Sequence, residues 1–196
     1  MSFSVEMHLR SADGRELDLA ILGYQFPHLN DYDDGNWLNV RVRVTDPRGS
    51  WERSDPCLMT FEAAELAVWL EAVAVEAPMI NRSFSKESGR PPEGVPLRLF
   101  DSAEFLEPNL RFELIARADN DAVIRVYFEL ELRPPWAPVS WEGGPEEAWV
   151  DFRVSPTDLK AAAKSLRVEV AGYPIRGVGR PKSMWWSRLA LRKRKS

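Results

Sequence analysis

The residues best suited to covalent chemistry in this chain are one cysteine, Cys57, and two histidines, His8 and His28. A nucleophilic enzyme needs a base beside its nucleophile, so the Cys57 thiol would need one of the two imidazoles close by. The residues that flank Cys57 match no protease or oxidoreductase motif, and an isolated cysteine usually packs as a small buried hydrophobe. We therefore expect Cys57 to lie in the core, and a hydrolase that uses it is the last of three hypotheses.

The carboxylates and glycines of the chain match no metal, hydrolase or phosphate-binding motif. One cysteine and two histidines are too few for a structural zinc site. The acidic loop from Asp31 to Asn36 has its glycine one position too early for a calcium loop, and a strand follows it. Glu129 and Glu131 could form a hydrolase pair, but a solvated or cross-strand-paired face is favoured. No glycine-rich phosphate loop precedes a helix, so we expect no cofactor and no metal.

Composition predicts one folded domain in a reducing compartment. Of the 196 residues, 44% are hydrophobic, and they include eight Trp and nine Phe, enough for a single core. A single cysteine excludes an internal disulfide framework and fits the cytoplasm. The N-terminus lacks a signal-peptide pattern, and no stretch approaches the roughly 20 apolar residues of a membrane span. We expect a cytoplasmic protein.

Charge is distributed unevenly along the chain. Residues 173–196 contain eight basic residues and no acidic one, which leaves 18 basic against 30 acidic residues in positions 1–172, a charge of −12. Residues 1–172, the acidic body of the chain, would attract a basic partner. We therefore divide the chain into one α+β domain, 1–172, and a basic tail, 173–196. Since basic and aromatic residues mix in the tail, it could bind nucleic acid or an anionic membrane, or serve as a solubilising end.

Hydrophobic periodicity predicts an α+β fold. Alternating apolar residues favour strands, and a period near 3.6 favours helices. The predicted strands are 2–10, 17–21, 37–44, 51–59, 97–100, 110–118, 122–132 and 149–154. Hairpin turns join most of them, so we predict mainly antiparallel sheets of about seven or eight strands with two principal helices packed on them. Four strands and a helix occur twice in this order, which suggests an internal duplication.

Helix and strand ends carry specific signals. Thr60 is expected to cap a helix that ends near Ala77, and Ser155 to cap one that ends near Gly172. Gly23 is expected to form a bulge, and Pro56 to mark either a sheet edge or the end of strand pairing.

Several spaced segments between Gly23 and Thr60 resemble the WapI family of bacterial immunity proteins. The segments are Gly23-Tyr-Gln-Phe-Pro27, Tyr32-Asp33, Asn36-Trp37-Leu38, Gly49-Ser-Trp51 and Ser54-Asp-Pro-Cys-Leu-Met-Thr60, followed by a helix with Glu65-Leu66 and Trp69-Leu70. The similarity is good from about Glu16 to Val75 and looser to Gly172. The tail has no counterpart in the family.

The resemblance implies a non-enzymatic cytoplasmic protein that binds and neutralises the toxic domain of a cognate contact-dependent toxin. The toxin best associated with the family name cleaves tRNA, so a nuclease is one candidate partner. The resemblance supplies no catalytic residues. For partner contacts we choose the acidic loop and two tryptophans, because acids would face a basic groove and tryptophans anchor interfaces. These residues are Asp31, Asp33, Asp34, Trp136 and Trp141.

A second hypothesis is a ligand-binding or regulatory domain. Only its 173–196 tail would then contact nucleic acid or membrane. The sequence does not indicate an oligomeric state.

Overall fold

The computed structural model describes residues 6–75, 102–137 and 147–177. They form two four-stranded antiparallel sheets and two helices, which confirms the α+β prediction. The first half consists of β1 (Met7–Arg10), β2 (Glu16–Tyr24), β3 (Trp37–Asp46), β4 (Gly49–Met59) and helix α1 (Thr60–Val75). The second half consists of β5 (Ser102–Glu104), β6 (Leu110–Ala118), β7 (Asp121–Phe128), β8 (Trp149–Val154) and helix α2 (Pro156–Val170). Both sheets follow chain order, so the repeated order expected from the sequence is observed.

The alternating pattern sets the register of the first sheet. Met7 and Leu9 of β1 are fully buried, while the residues that follow each of them are more exposed. The register between β2 and β3 shifts between Ile21 and Gly23, which confirms the predicted bulge. Pro56 lies in β4, the edge strand of its sheet, where a second register shift opposite β3 accommodates a residue without a backbone N–H. Pairing with β3 does not end there but continues to Met59.

One predicted strand end and one short strand differ from the prediction. The strand predicted over 122–132 ends at Phe128, and Leu130–Leu132 form a 3-10 turn. Leu130 has a φ of +49°, which is incompatible with a strand. The strand predicted over 97–100 lies outside the described residues. The three-residue strand β5 was not predicted, because it is too short for alternation to show.

The two helices differ in how their first turns are capped. Ser155 accepts a hydrogen bond from the Asp158 N–H at 3.1 Å, so its cap is confirmed. Thr60 is itself the first helical residue, and its hydroxyl donates to the Asn36 carbonyl at 3.4 Å. At this helix start the Glu62 carboxylate accepts from the Met59 N–H, at 2.9 Å.

The two halves share one hydrophobic core. Helix α2 packs on β1 and β2 of the first half, and α1 packs along α2. Trp69 of α1 lies 6.3 Å, ring to ring, from Phe112 of β6. The core cluster accordingly contains residues of both sheets and both helices. Cys57 belongs to it as expected, and so does Trp51.

Glu62 also links the halves through hydrogen bonds. Glu62 is only 3% exposed. Its second carboxylate oxygen accepts a hydrogen bond from the Leu106 N–H at 2.7 Å. Burial raises the pKa of Glu62 to about 7, although the two backbone donors act in the opposite direction.

Candidate partner-binding surface

An acidic cleft of about 400 Å³ lies between the two halves, beside the sequence-predicted acidic loop. It is lined by the loop after β2, the first residue of β3, β4, the loop before β6 and the turn after β7. The lining residues are Gln25, Phe26, Asp34, Trp37, Asp55, Pro56, Glu107, Asn109, Leu130 and Glu131. Four of these are carboxylates and none is basic, so the cleft presents a negative field to anything that enters it.

Asn109 holds two of the carboxylates in place. It is 1% exposed, and its amide donates to Asp55 at 3.2 Å and to Glu131 at 2.9 Å. Burial raises the pKa of Asp55, and the charges of Glu131 and Glu107 raise it further. A cation that entered the cleft would relieve this repulsion, because an opposite charge favours ionised carboxylates.

The cleft also exposes large apolar side chains. Phe26 is 40% exposed and Leu130 is 54% exposed. Leu130 holds its φ of +49°, in the left-handed region that costs a non-glycine residue about 1–2 kcal/mol. A partner that carries both basic and apolar side chains would find contacts for each.

The acidic loop is shaped by its own side chains. Asp31 accepts hydrogen bonds from the N–H groups of Asp34, at 2.7 Å, and Gly35, at 3.2 Å. This forms the 3-10 turn Asp34–Asn36, so part of the Asp31 carboxylate is engaged structurally.

Asn36 ties this loop to the segment that follows α2. The residue is fully buried, and its amide donates to the Tyr32 carbonyl at 2.7 Å and the Arg176 carbonyl at 3.1 Å. Its side-chain oxygen accepts the Arg176 N–H at 2.8 Å. A single side chain therefore connects residues 140 positions apart.

Arg176 completes the connection. Its guanidinium donates to the carbonyls of Phe26 and Leu29, both at 3.0 Å, and lies 3.4 Å above the Tyr24 ring. The loop that forms one wall of the cleft is thus held by a residue that the sequence places in the basic tail.

The structure separates the predicted contact residues into different regions. Asp31, Asp33 and Asp34 are exposed in one loop, and of these Asp34 lines the cleft. Trp136 is partly buried, with the Arg48 guanidinium 3.3 Å above its ring at the β3–β4 turn. Arg48 lies seven residues before Asp55 of the cleft, which is roughly 23 Å along an extended strand. Trp136, which packs against Arg48, therefore belongs to a different region from the cleft. Trp141 lies outside the described residues, and the partner role of all five remains a prediction.

Sequence patterns did not identify most of the cleft. Asp55, Asn109 and Glu131 converge from three separate segments, and no local motif links them. Leu130 lies in an alternating run that resembled a strand, so its exposure at the cleft was not expected. The one local signal was the Glu107-Pro-Asn109 turn composition.

The geometry argues against thiol chemistry. Cys57 is fully buried, and burial, followed by the charge of Asp55, raises the pKa of its thiol, so the nucleophilic thiolate is disfavoured. His8, in β1, bonds to Asp18, which also accepts two hydrogen bonds from Arg43. In the described part of the chain, no group of three or more His, Cys, Asp and Glu residues could hold a metal ion.

These features define an α+β protein made of two β4α halves, with an acidic, apolar-rimmed cleft at their junction. The model of the immunity protein WapI-like family matches residues 8–174, so the chain belongs to that family. A comparison with curated proteins finds no match. Membership supports an immunity-protein role, and proteins of this family are generally non-enzymatic.

The same match ends close to the last described residues. It stops at Tyr173-Pro174, one turn beyond α2, and leaves the basic C-terminal segment outside the family region. Within the described ranges, neither helix has the length and apolar character needed to cross a membrane.

Proposed function

We propose that the protein is a cytoplasmic immunity protein that binds the toxic domain of a cognate contact-dependent toxin and blocks it without chemistry of its own. The WapI-like family match supports the class of function. The acidic cleft, with its four carboxylates and the exposed Phe26 and Leu130, is the observation that supports a binding surface here.

A nuclease domain is the partner that best fits this surface. Nucleases bind phosphate through basic grooves, and an acidic inhibitor is steered towards such a groove by long-range electrostatics. Residues 1–172 carry a charge of −12, so steering and local complementarity act in the same direction. The inhibitor would occlude the groove by occupying the space of the nucleic acid.

Asp34 is the predicted contact with the clearest role, because it belongs to both the acidic loop and the cleft. Asp31 and Asp33 would extend the negative surface beyond the cleft. Trp136 and Trp141 would belong to a second contact region, since Trp136 lies near the β3–β4 turn.

The test is co-purification with a toxin domain encoded by a neighbouring gene, followed by titration calorimetry. We expect Asp34→Asn combined with Glu131→Gln to weaken the complex by about 1–3 kcal/mol and to reduce its salt dependence. The matched control, Asp13→Asn with Asp119→Asn, also removes two charges. They lie in the β1–β2 and β6–β7 turns, at the ends of the sheets that face away from the cleft. Failure of the wild-type chain to bind the neighbouring toxin would refute the proposal.

A further inference from the structure

The last described residue, Gly177, lies against the wall of the acidic cleft. Its N–H donates to the Asn30 side chain at 3.2 Å, and a Cβ at this position would lie 2.3 Å from the Tyr32 nitrogen. Asp34, which lines the cleft, is two residues beyond Tyr32. The chain therefore leaves the described structure within roughly 12 Å of the cleft wall, from the lengths of the intervening bonds.

The sequence beyond Gly177 is complementary in charge to this cleft. Residues 178–196 contain seven basic residues and no acidic one, together with Trp185 and Trp186. The basic residues are Arg180, Lys182, Arg188, Arg192, Lys193, Arg194 and Lys195. A chain of this length can reach roughly 65 Å, so every position in the cleft is accessible to it.

The apolar residues are complementary as well. Trp185, Trp186 and Leu189 stand among the basic residues, and the cleft offers the exposed side chains of Phe26 and Leu130. Because the segment is tethered, it meets the cleft at an effective concentration in the millimolar range, which favours even a weak contact.

We infer that residues 178–196 bind in the acidic cleft of their own chain. Arg and Lys side chains neutralise Asp34, Asp55, Glu107 and Glu131, and the tryptophans cover the apolar rim. A toxin that uses the same cleft has to displace the segment. This competition rests on the proposed function, whereas the intramolecular contact does not.

The first test uses the full chain without any toxin. Trypsin cleavage after Lys182 and Arg188 is followed by mass spectrometry at low salt. We expect Glu107→Gln combined with Glu131→Gln to accelerate this cleavage about five- to tenfold, because each lost ion pair weakens the contact modestly. High salt should have the same effect. The Asp13→Asn and Asp119→Asn control should cleave at the wild-type rate.

The second test locates the segment. A nitroxide on Ser187→Cys should broaden the Leu130 amide signal in NMR spectra, and leave that of Gly14, in the β1–β2 turn, unchanged. Cys57 is fully buried, so the label attaches to the introduced cysteine.

Three results would overturn the inference. One is equal cleavage rates in the wild type and the cleft variant, with protection appearing only when RNA or anionic phosphatidylserine vesicles are added. Another is protection that grows with protein concentration, which would place the segment on a second copy. The last is broadening at Gly14 equal to that at Leu130. Since no toxin takes part, failure here leaves the proposed function untouched.

Discussion

Glu62, which is buried, and Glu169, which is half-buried, accept backbone hydrogen bonds. Glu62 receives two N–H groups, and Glu169, on α2, receives the Ile21 N–H of β2 at 2.6 Å. Burial raises the pKa of each to about 7, well above the ordinary value of 4.5. Their ionised forms are therefore disfavoured in the folded protein relative to the unfolded chain.

This predicts a fall in stability as pH rises from about 4.5 to about 7. In that window the folded state binds more protons than the unfolded state, so the free energy of unfolding decreases with pH. The Glu62 contribution should be about 2 kcal/mol. Urea denaturation at pH 5 and pH 7.5 measures it. Glu62→Gln should remove this contribution and leave that of Glu169, whereas the exposed Glu52→Gln should leave the pH dependence unchanged. An unchanged slope in Glu62→Gln would contradict the assignment.

A substitution at Leu130 should distinguish a loss of partner binding from a loss of stability. Its side chain is mostly exposed and its φ is positive, so Leu130→Gly removes backbone strain and little buried area. We expect the free energy of unfolding to change by less than about 1 kcal/mol, while toxin affinity falls severalfold because an interface anchor is lost. Denaturation and calorimetry test the two effects. A loss of stability well above 1 kcal/mol would show that Leu130 supports the fold instead.

At the scale of elements, the cleft depends on how the loop after β2 is held. Asn36 and Arg176 connect that loop to the segment after α2, so the wall of the cleft is held by a segment from the second half of the chain. Tyr173 adds to this link, because its hydroxyl donates to the Ile21 carbonyl and its ring packs edge-on to Tyr24.

Gly177 and Gly14 provide a matched pair to test this link. Both have positive φ, +81° and +86°, but a Cβ meets Tyr32 backbone at Gly177 and nothing within 4 Å at Gly14. Each alanine substitution should cost about 1 kcal/mol for the backbone conformation. Only Gly177→Ala should also accelerate hydrogen exchange of the Gly35 and Asn36 amides. Similar exchange in the two variants would mean that the segment does not hold the loop.

At the scale of the whole molecule, the two β4α halves are interdependent. Helix α2 covers β1 and β2, and Trp69 of α1 reaches Phe112 of the second sheet. The buried Glu62 joins Met59 to Leu106 across the same boundary. Neither half therefore has a complete core of its own.

The protein should consequently unfold in a single transition. Trp69→Ala removes a residue that is 5% exposed and should cost about 3–5 kcal/mol. Far-ultraviolet circular dichroism and tryptophan fluorescence should give coincident unfolding curves for the wild type and for this variant. Two separated transitions would show that one half folds alone.

Sequence patterns predicted the elements better than the site. Strands 110–118 and 149–154 and the Ser155 cap were predicted at their observed positions, because alternation and capping are local properties. The strand end at Phe128 was missed, since an alternating run continues through Leu132 while the backbone turns at Leu130. The aspartates of the acidic loop are exposed, and their role in partner binding stays a prediction, whereas their neighbours in the cleft were not predicted.

The sequence by itself determined the α+β class, the family resemblance, the buried Cys57 and the opposite charges of body and tail. These depend on composition, periodicity and short motifs, which are readable residue by residue. Only the tertiary structure brought Asp34, Asp55, Glu107 and Glu131 to one cleft and placed Gly177 at its wall. The physical reason is that this arrangement follows from the packing of two halves in a shared core, and such long-range contacts leave no local pattern in the chain.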